Sequence, residues 1–130
     1  MNHEDVYETI GRDLFPVFLG STHSAHRLAM SLFQRWGTVS LIADRKRSLW
    51  DLLDPAARFL PLPPSGEPRL TAELLCDLTS SRQDALPLLI PCKEEYTLLI
   101  QREAPLLESR FIVVEESALL CHSPIADFPL

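Results

Sequence analysis

The chain has 130 residues, a length suited to one domain that can bury a core of its own. Its hydrophobic fraction of 46% and charged fraction of 23% are those of a globular domain, and its formal net charge of -6 argues against a nucleic-acid partner, which would need a basic face. No apolar run reaches the length of a membrane span, and Met1 to Glu8 lacks a signal peptide's apolar core, so neither membrane nor export is expected.

Residues 4–13 read as a short leading helix with Val6, Tyr7 and Ile10 on one face. The first strand is expected over Phe15–Leu19 and ends in Gly20-Ser21-Thr22-His23, a turn in which glycine allows a sharp change of direction. A helix follows from about Thr22 to Trp36, with Ala25, Leu28, Ala29, Leu32, Phe33 and Trp36 at helical spacing and Gly37 placed to cap it. Val39–Ala43 is a short apolar strand of the kind buried on both faces, ending at Asp44. Arg45-Lys46-Arg47 is the densest basic run and reads as a solvated turn. A helical turn over Ser48–Leu53 and a strand over Arg58–Leu62 come next, then an extended loop rich in proline. The second long helix is expected over Pro68–Ser80, the fourth strand over Leu86–Ile90 and the third helix over Lys93–Glu103, where Pro105 discourages continuation. A fifth strand is expected over Arg110–Val114, and a helix begins near Ser117 in the tail.

This alternation predicts an α/β domain. Its centre is a Rossmann-like open parallel sheet of four or five strands in the order 3-2-1-4-5, with helices on both faces in three layers. Residues 14–116 are the expected core. Residues 117–130 are an irregular tail and an expected truncation point. The three cysteines, Cys76, Cys92 and Cys121, fit no zinc spacing, and their odd number without a signal peptide points to a reducing, cytoplasmic setting.

Three places carry candidate chemistry. The turn Gly20, Ser21, Thr22, His23 offers backbone N–H groups and hydroxyls to an anion at a helix start; the structural alternative is that Ser21 or Thr22 simply caps the helix. Asp44 with Arg45 stands where a dinucleotide fold holds ribose hydroxyls, but the turn lacks the second glycine of the G-x-G-x-x-G fingerprint, and an acid there also just ends a strand. Cys92 and Glu94 border the same crevice from the fourth strand. Near a helix start the Cys92 thiol is a candidate for a lowered pKa, and the alternative is a small, partly buried thiol. His23 and His26 read as solvated or capping residues, and no metal site is expected. No P-loop, G-x-S-x-G elbow or H-E-x-x-H is present.

In sequence order these motifs resemble the amino-terminal, pre-ATP-grasp domain of ATP-grasp carboxylate–amine ligases, in the D-aspartate ligase and carbamoyl-phosphate-synthase-like branch. The resemblance runs from about residue 14 to 120. It rests on strand-Gly20-Ser21-Thr22-His23 and the Ala25-His26-Arg27-Leu28-Ala29 helix, Trp36-Gly37, the strand ending at Asp44, and the proline-bounded third strand. It continues through Leu88-Leu89-Ile90-Pro91-Cys92 with Glu94-Glu95-Tyr96, and Glu108-Ser109-Arg110-Phe111-Ile112-Val113. It implies a domain that is not catalytic alone and lines an acceptor-substrate site with Gly20, Ser21, Thr22 and His23, Cys92 and Glu94 opposite. It also implies a small carboxylate or amino-acid substrate, an ATP-grasp domain in cis, and ATP and magnesium in the parent ligase, with no cofactor in this chain. The chain departs from the family at Gly20-Ser21, where relatives often carry two glycines, and at Thr22 and His23, which replace acidic or amide residues. The lysine-bearing helix expected after Glu115-Glu116 is replaced by a tail with Cys121-His122-Ser123-Pro124. A stand-alone nucleotide- or dinucleotide-binding module using Gly20 and Asp44, and a structural or homodimeric domain, remain the other readings.

Overall fold

The computed structural model describes residues 14–64 and 67–122. The expected leading helix and the last residues of the tail lie outside that range. The elements in chain order are β1 (Leu14–Leu19), α1 (His23–Trp36), β2 (Ser40–Asp44), α2 (Leu49–Leu53), β3 (Ala57–Pro61), α3 (Pro68–Thr79), β4 (Leu86–Pro91), α4 (Glu94–Arg102), α5 (Ala104–Glu108), β5 (Ile112–Val113) and α6 (Glu116–His122). The five strands form one sheet in the order β3-β2-β1-β4-β5, every pair parallel. This is the Rossmann-like arrangement expected from the alternation of elements.

β1 is the central strand and is buried along its whole length. Its side chains alternate between two cores, as a pleated strand requires. Phe15, Val17 and Leu19 meet Ala72 and Leu75 of α3, Tyr96, Leu99 and Ile100 of α4, and Leu107 of α5. Leu14 and Phe18 meet Ala25, Leu28, Ala29 and Leu32 of α1, with Ile42, Leu88 and Ile90 from the neighbouring strands. The cover of both faces explains why the central strands read as near-continuous apolar runs.

The helix ends follow their local chemistry. Thr22 Oγ1 accepts from the Ala25 amide at 3.1 Å at the start of α1. Gly37 ends α1 in the left-handed region, φ 72°, with its N–H donating to the Phe33 carbonyl. α3 starts at Pro68, where a missing N–H costs nothing. Pro105 does more than stop α4: it falls in the first turn of α5, because proline is compatible with the start of a new helix even where it discourages the old one. Val39 lies outside β2 and is exposed. β3 is set one residue earlier than expected, and its terminal Pro61 is tolerated on an edge strand while the next amide, Leu62, donates to the Asp44 carbonyl. β5 is shorter than expected, with only Ile112 and Val113 in register with β4.

Candidate functional site

The carboxyl ends of β1 and β4 lie side by side, and the chain leaves them in opposite directions, α1 over one face and α4 over the other. This is the switch point at which open parallel sheets bind ligands. Gly20 sits at its centre with φ 120°, a conformation that L side chains rarely adopt. A Cβ there would lie 3.0 Å from Lys93 Cγ and 3.4 Å from Cys92 Cβ. Glycine is therefore needed twice, for the turn and for the Lys93 stem that crosses it.

Lys93 spans the switch point. From the end of β4 its stem passes over Gly20, and its Nζ donates to Asp44 Oδ2 at 2.7 Å, at the end of β2. Asp44 also accepts from the Ser21 amide (2.8 Å), the Arg45 amide (2.7 Å) and the Tyr96 hydroxyl (2.6 Å). The residue is 3% exposed. Burial pushes its carboxyl up, but the hydrogen bonds from Lys93, Ser21, Tyr96 and Arg45 outweigh that and hold it below the usual carboxylate value. Tyr96 moves the other way: burial and the adjacent Asp44 charge raise its hydroxyl. Asp44 thus braces three loops together, and the Tyr96 hydroxyl is one of its partners. Arg45 is exposed and pairs with Glu95 at 3.4 Å.

A second polar cluster fixes α2 to the start of α1. His26 is buried, with Nδ1 2.5 Å from Asp54 Oδ2 and Nε2 2.9 Å from Asp51 Oδ1. This corrects the solvated or capping reading of His26; the two aspartates that bury it arrive from an element more than twenty positions away. His23, by contrast, is exposed. Asp51 also accepts from the Ser21 hydroxyl, at 2.8 Å to each carboxylate oxygen, and from the Ser48 amide at 2.6 Å. Burial raises the Asp51 carboxyl, and bonds from Ser48, Ser21 and His26 more than reverse the effect. The order Ser21, His26, Asp54 imitates a nucleophile–base–acid triad. Yet Asp51 stands within 2.9 Å of the ring nitrogen that would take the serine proton, and itself receives that proton's hydrogen bond. The cluster is an anchor and not an activated serine.

Cys92 is partly buried and its Sγ lies 3.5 Å from the Ile90 carbonyl. Burial, then the neighbouring Glu116, push the thiol up, against the lowered value that a helix start would favour. Glu116, from the start of α6, accepts from Ser24 Oγ at 2.9 Å and so closes the α1 side of the crevice. Glu94 is exposed in the first turn of α4.

Of the predicted residues, the structure brings Gly20, Ser21, Thr22, Asp44 and Cys92 to the same edge, with His23 and Glu94 exposed at its rim. Ser21 and Thr22 spend their hydroxyls on Asp51 and on the helix cap. What remains open to a ligand is backbone: the amides of His23 and Ser24 stand at the first two positions of α1, where no carbonyl of the helix can reach them. α4 likewise starts without a side-chain cap bond from Lys93. Among the described residues, no group of three or more His, Cys, Asp or Glu is arranged to hold a metal ion, and no helix is long and apolar enough to cross a membrane. Comparison with protein-family models, with curated proteins and with solved structures gave no match.

Proposed function

We propose that the chain is the substrate-positioning, amino-terminal domain of an ATP-grasp-type carboxylate–amine ligase, working in a cytoplasmic setting and not catalytic on its own. The observation that carries this reading is the pair of helix starts at the switch point. α1 and α4 begin on opposite faces of the sheet beside Gly20, with amides at His23 and Ser24 left over after Thr22 has capped Ala25. Such amides favour a carboxylate, each helix start contributing roughly 0.3–1 kcal/mol at an exposed site. Glu116, next to Ser24, and Glu94 suit an amine on the same ligand, so the edge fits a small amino acid.

The braced Asp44 weighs against the dinucleotide reading. Its oxygens are occupied by four donors, and the Lys93 stem fills the space over the glycine turn through which a pyrophosphate would approach. The protonated Cys92 and the carboxylate-blocked Ser21–His26 pair support a wall that orients a substrate, since neither supplies an activated nucleophile. ATP and magnesium would be held by the ATP-grasp body of the parent ligase.

The test is calorimetric titration of the chain with small amino acids and carboxylates, and separately with ATP and a nicotinamide dinucleotide. The reading expects weak binding of an amino acid or carboxylate, lost in Gly20→Val, and no magnesium-dependent ADP release. Saturable dinucleotide binding, or ATP turnover by the pure chain, would overturn it.

A further inference from the structure

We infer that α2 and the groove beside it form a docking surface for an acidic, amphipathic helix of a protein partner. α2 is Leu49-Trp50-Asp51-Leu52-Leu53, and none of its apolar residues is buried. Leu49, Trp50, Leu52 and Leu53 are 69%, 60%, 63% and 65% exposed, the densest group of large exposed apolar side chains among the described residues. An isolated exposed leucine needs no explanation, but four on one short helix form a patch of the kind that marks an interaction site.

The outward aim of these side chains is built in. A set of polar bonds holds α2 to the rest of the fold: Asp51 to Ser21, Ser48 and His26, and Asp54 to His26 and the Ala56 amide. These bonds fix the polar side of the helix inward, so its apolar residues have only the outside left to them. Between α2 and α1 lies a concave space of about 230 Å³ lined by Met30, Trp50, Leu53 and Pro55 together with Arg27 and the His26-paired Asp54. A groove with a tryptophan wall fits the side chains of an amphipathic helix better than it fits a flat lipid surface.

The charge selects the partner. From Arg45 to Pro55 the chain carries Arg45, Lys46 and Arg47, all exposed, and two acids, Asp51 and Asp54, whose side chains are 0% and 6% exposed against His26. Arg47 has its guanidinium carbon 5.1 Å from the centroid of the Phe59 ring on β3, and Arg27 lines the groove. The exposed charge of this segment is therefore entirely basic on a chain whose net charge is -6. Two copies meeting here would bring two segments of like exposed charge together, which disfavours self-association. An acidic helix with leucines at i, i+3, i+4 and i+7 satisfies both the groove and its rim.

The experiment uses the 130-residue chain and a dye-labelled synthetic peptide of about four helical turns, with leucines at that spacing and glutamates around them. A second peptide has lysine for each glutamate. Fluorescence anisotropy is expected to give saturable binding of the glutamate peptide that weakens with salt, and none of the lysine peptide. Arg27→Glu with Arg47→Glu, and separately Leu53→Ser, should each weaken it by about tenfold or more. These positions are exposed, so the melting midpoint should not move and loss of binding is separable from loss of fold. Equal binding of both peptides, no binding of either, or binding untouched by the substitutions overturns the inference. So does preferential binding to phosphatidylserine vesicles, or a dimer in sedimentation that Leu53→Ser dissolves.

Discussion

Replacing Asp44 with alanine should cost far more than replacing the lysine that bridges to it. The substitution leaves the Ser21 amide and the buried Tyr96 hydroxyl without their acceptor. Each orphaned donor costs about 1–3 kcal/mol, partly offset because a buried carboxylate no longer has to be desolvated. The Arg45 amide follows in an exposed turn and can turn to water. Lys93 is 39% exposed and can do the same, so its share is about 0–1 kcal/mol. The net loss for Asp44→Ala is then about 2–5 kcal/mol, a large part of a typical domain's 5–15 kcal/mol. Tyr96→Phe should cost about 1–2 kcal/mol and Lys93→Met about 0–1 kcal/mol. Urea unfolding at neutral pH, followed by tryptophan emission, measures all three. The decisive arm is the double variant. If orphaning is the cause, Tyr96→Phe should cost much less in the Asp44→Ala background, giving a coupling of about 1–2 kcal/mol. Additive losses, or a Lys93→Met loss equal to that of Asp44→Ala, would refute the bracing argument.

Gly20→Ala should destabilise the fold by about 1–3 kcal/mol, seen as a lowered melting midpoint, because φ 120° is strained for any L side chain and the new Cβ meets Lys93 Cγ. Gly20→Val should be worse. Stability should fall in acid: Asp44 and Asp51 are both held below their ordinary value of 3.8, so the unfolded chain takes up protons first. Their contribution is complete above that value and disappears as pH drops through the folded values, and Asp44→Asn should flatten that limb of a pH–urea profile. In base the sign reverses for Tyr96, whose raised hydroxyl contributes fully below its ordinary value of 10.0 and is lost as pH rises through the folded one. Cys92 should alkylate with iodoacetamide much more slowly than a free thiol at pH 8, read at that site by mass spectrometry, because burial and Glu116 keep it protonated. Fast labelling in the folded chain would contradict the placement of Glu116.

The fold was legible because its signals are local. β1, Gly20, α1 and Gly37 follow from an apolar run, a turn residue, a helical period and a cap, each readable within a few positions. α5 escaped notice because Pro105 carries two meanings, a stop for one helix and a start for the next. The site was legible only as a place. Gly20, Asp44 and Cys92 could be assigned to strand ends, and strand ends to one edge of the sheet. Their partners could not. Tyr96 stands in the sequence only as the end of the Glu94-Glu95-Tyr96 motif, with no local sign that its hydroxyl reaches Asp44 on a strand two removed in the sheet. His26 reads as one more polar residue of α1, because the carboxylates that bury it come from α2 and its carboxyl end, whose position depends on the whole β2-to-β3 connection. The one available signal was Asp51 and Asp54 bracketing an apolar pair three positions apart, which puts both acids on one side of a short helix.

The central claim, that the switch-point edge positions an amino-acid or carboxylate ligand, is tested most directly by amide chemical-shift mapping of the ¹⁵N-labelled chain. Small amino acids, simple carboxylates, ATP and a nicotinamide dinucleotide are titrated in turn. The account predicts saturable shifts at Gly20 to Ser24 and at Cys92 to Glu95 with an amino acid or carboxylate, and no saturable shifts there with either nucleotide. A nucleotide that saturates the amides of Gly20, Asp44 and Arg45 while amino acids and carboxylates leave the edge unmoved would contradict it.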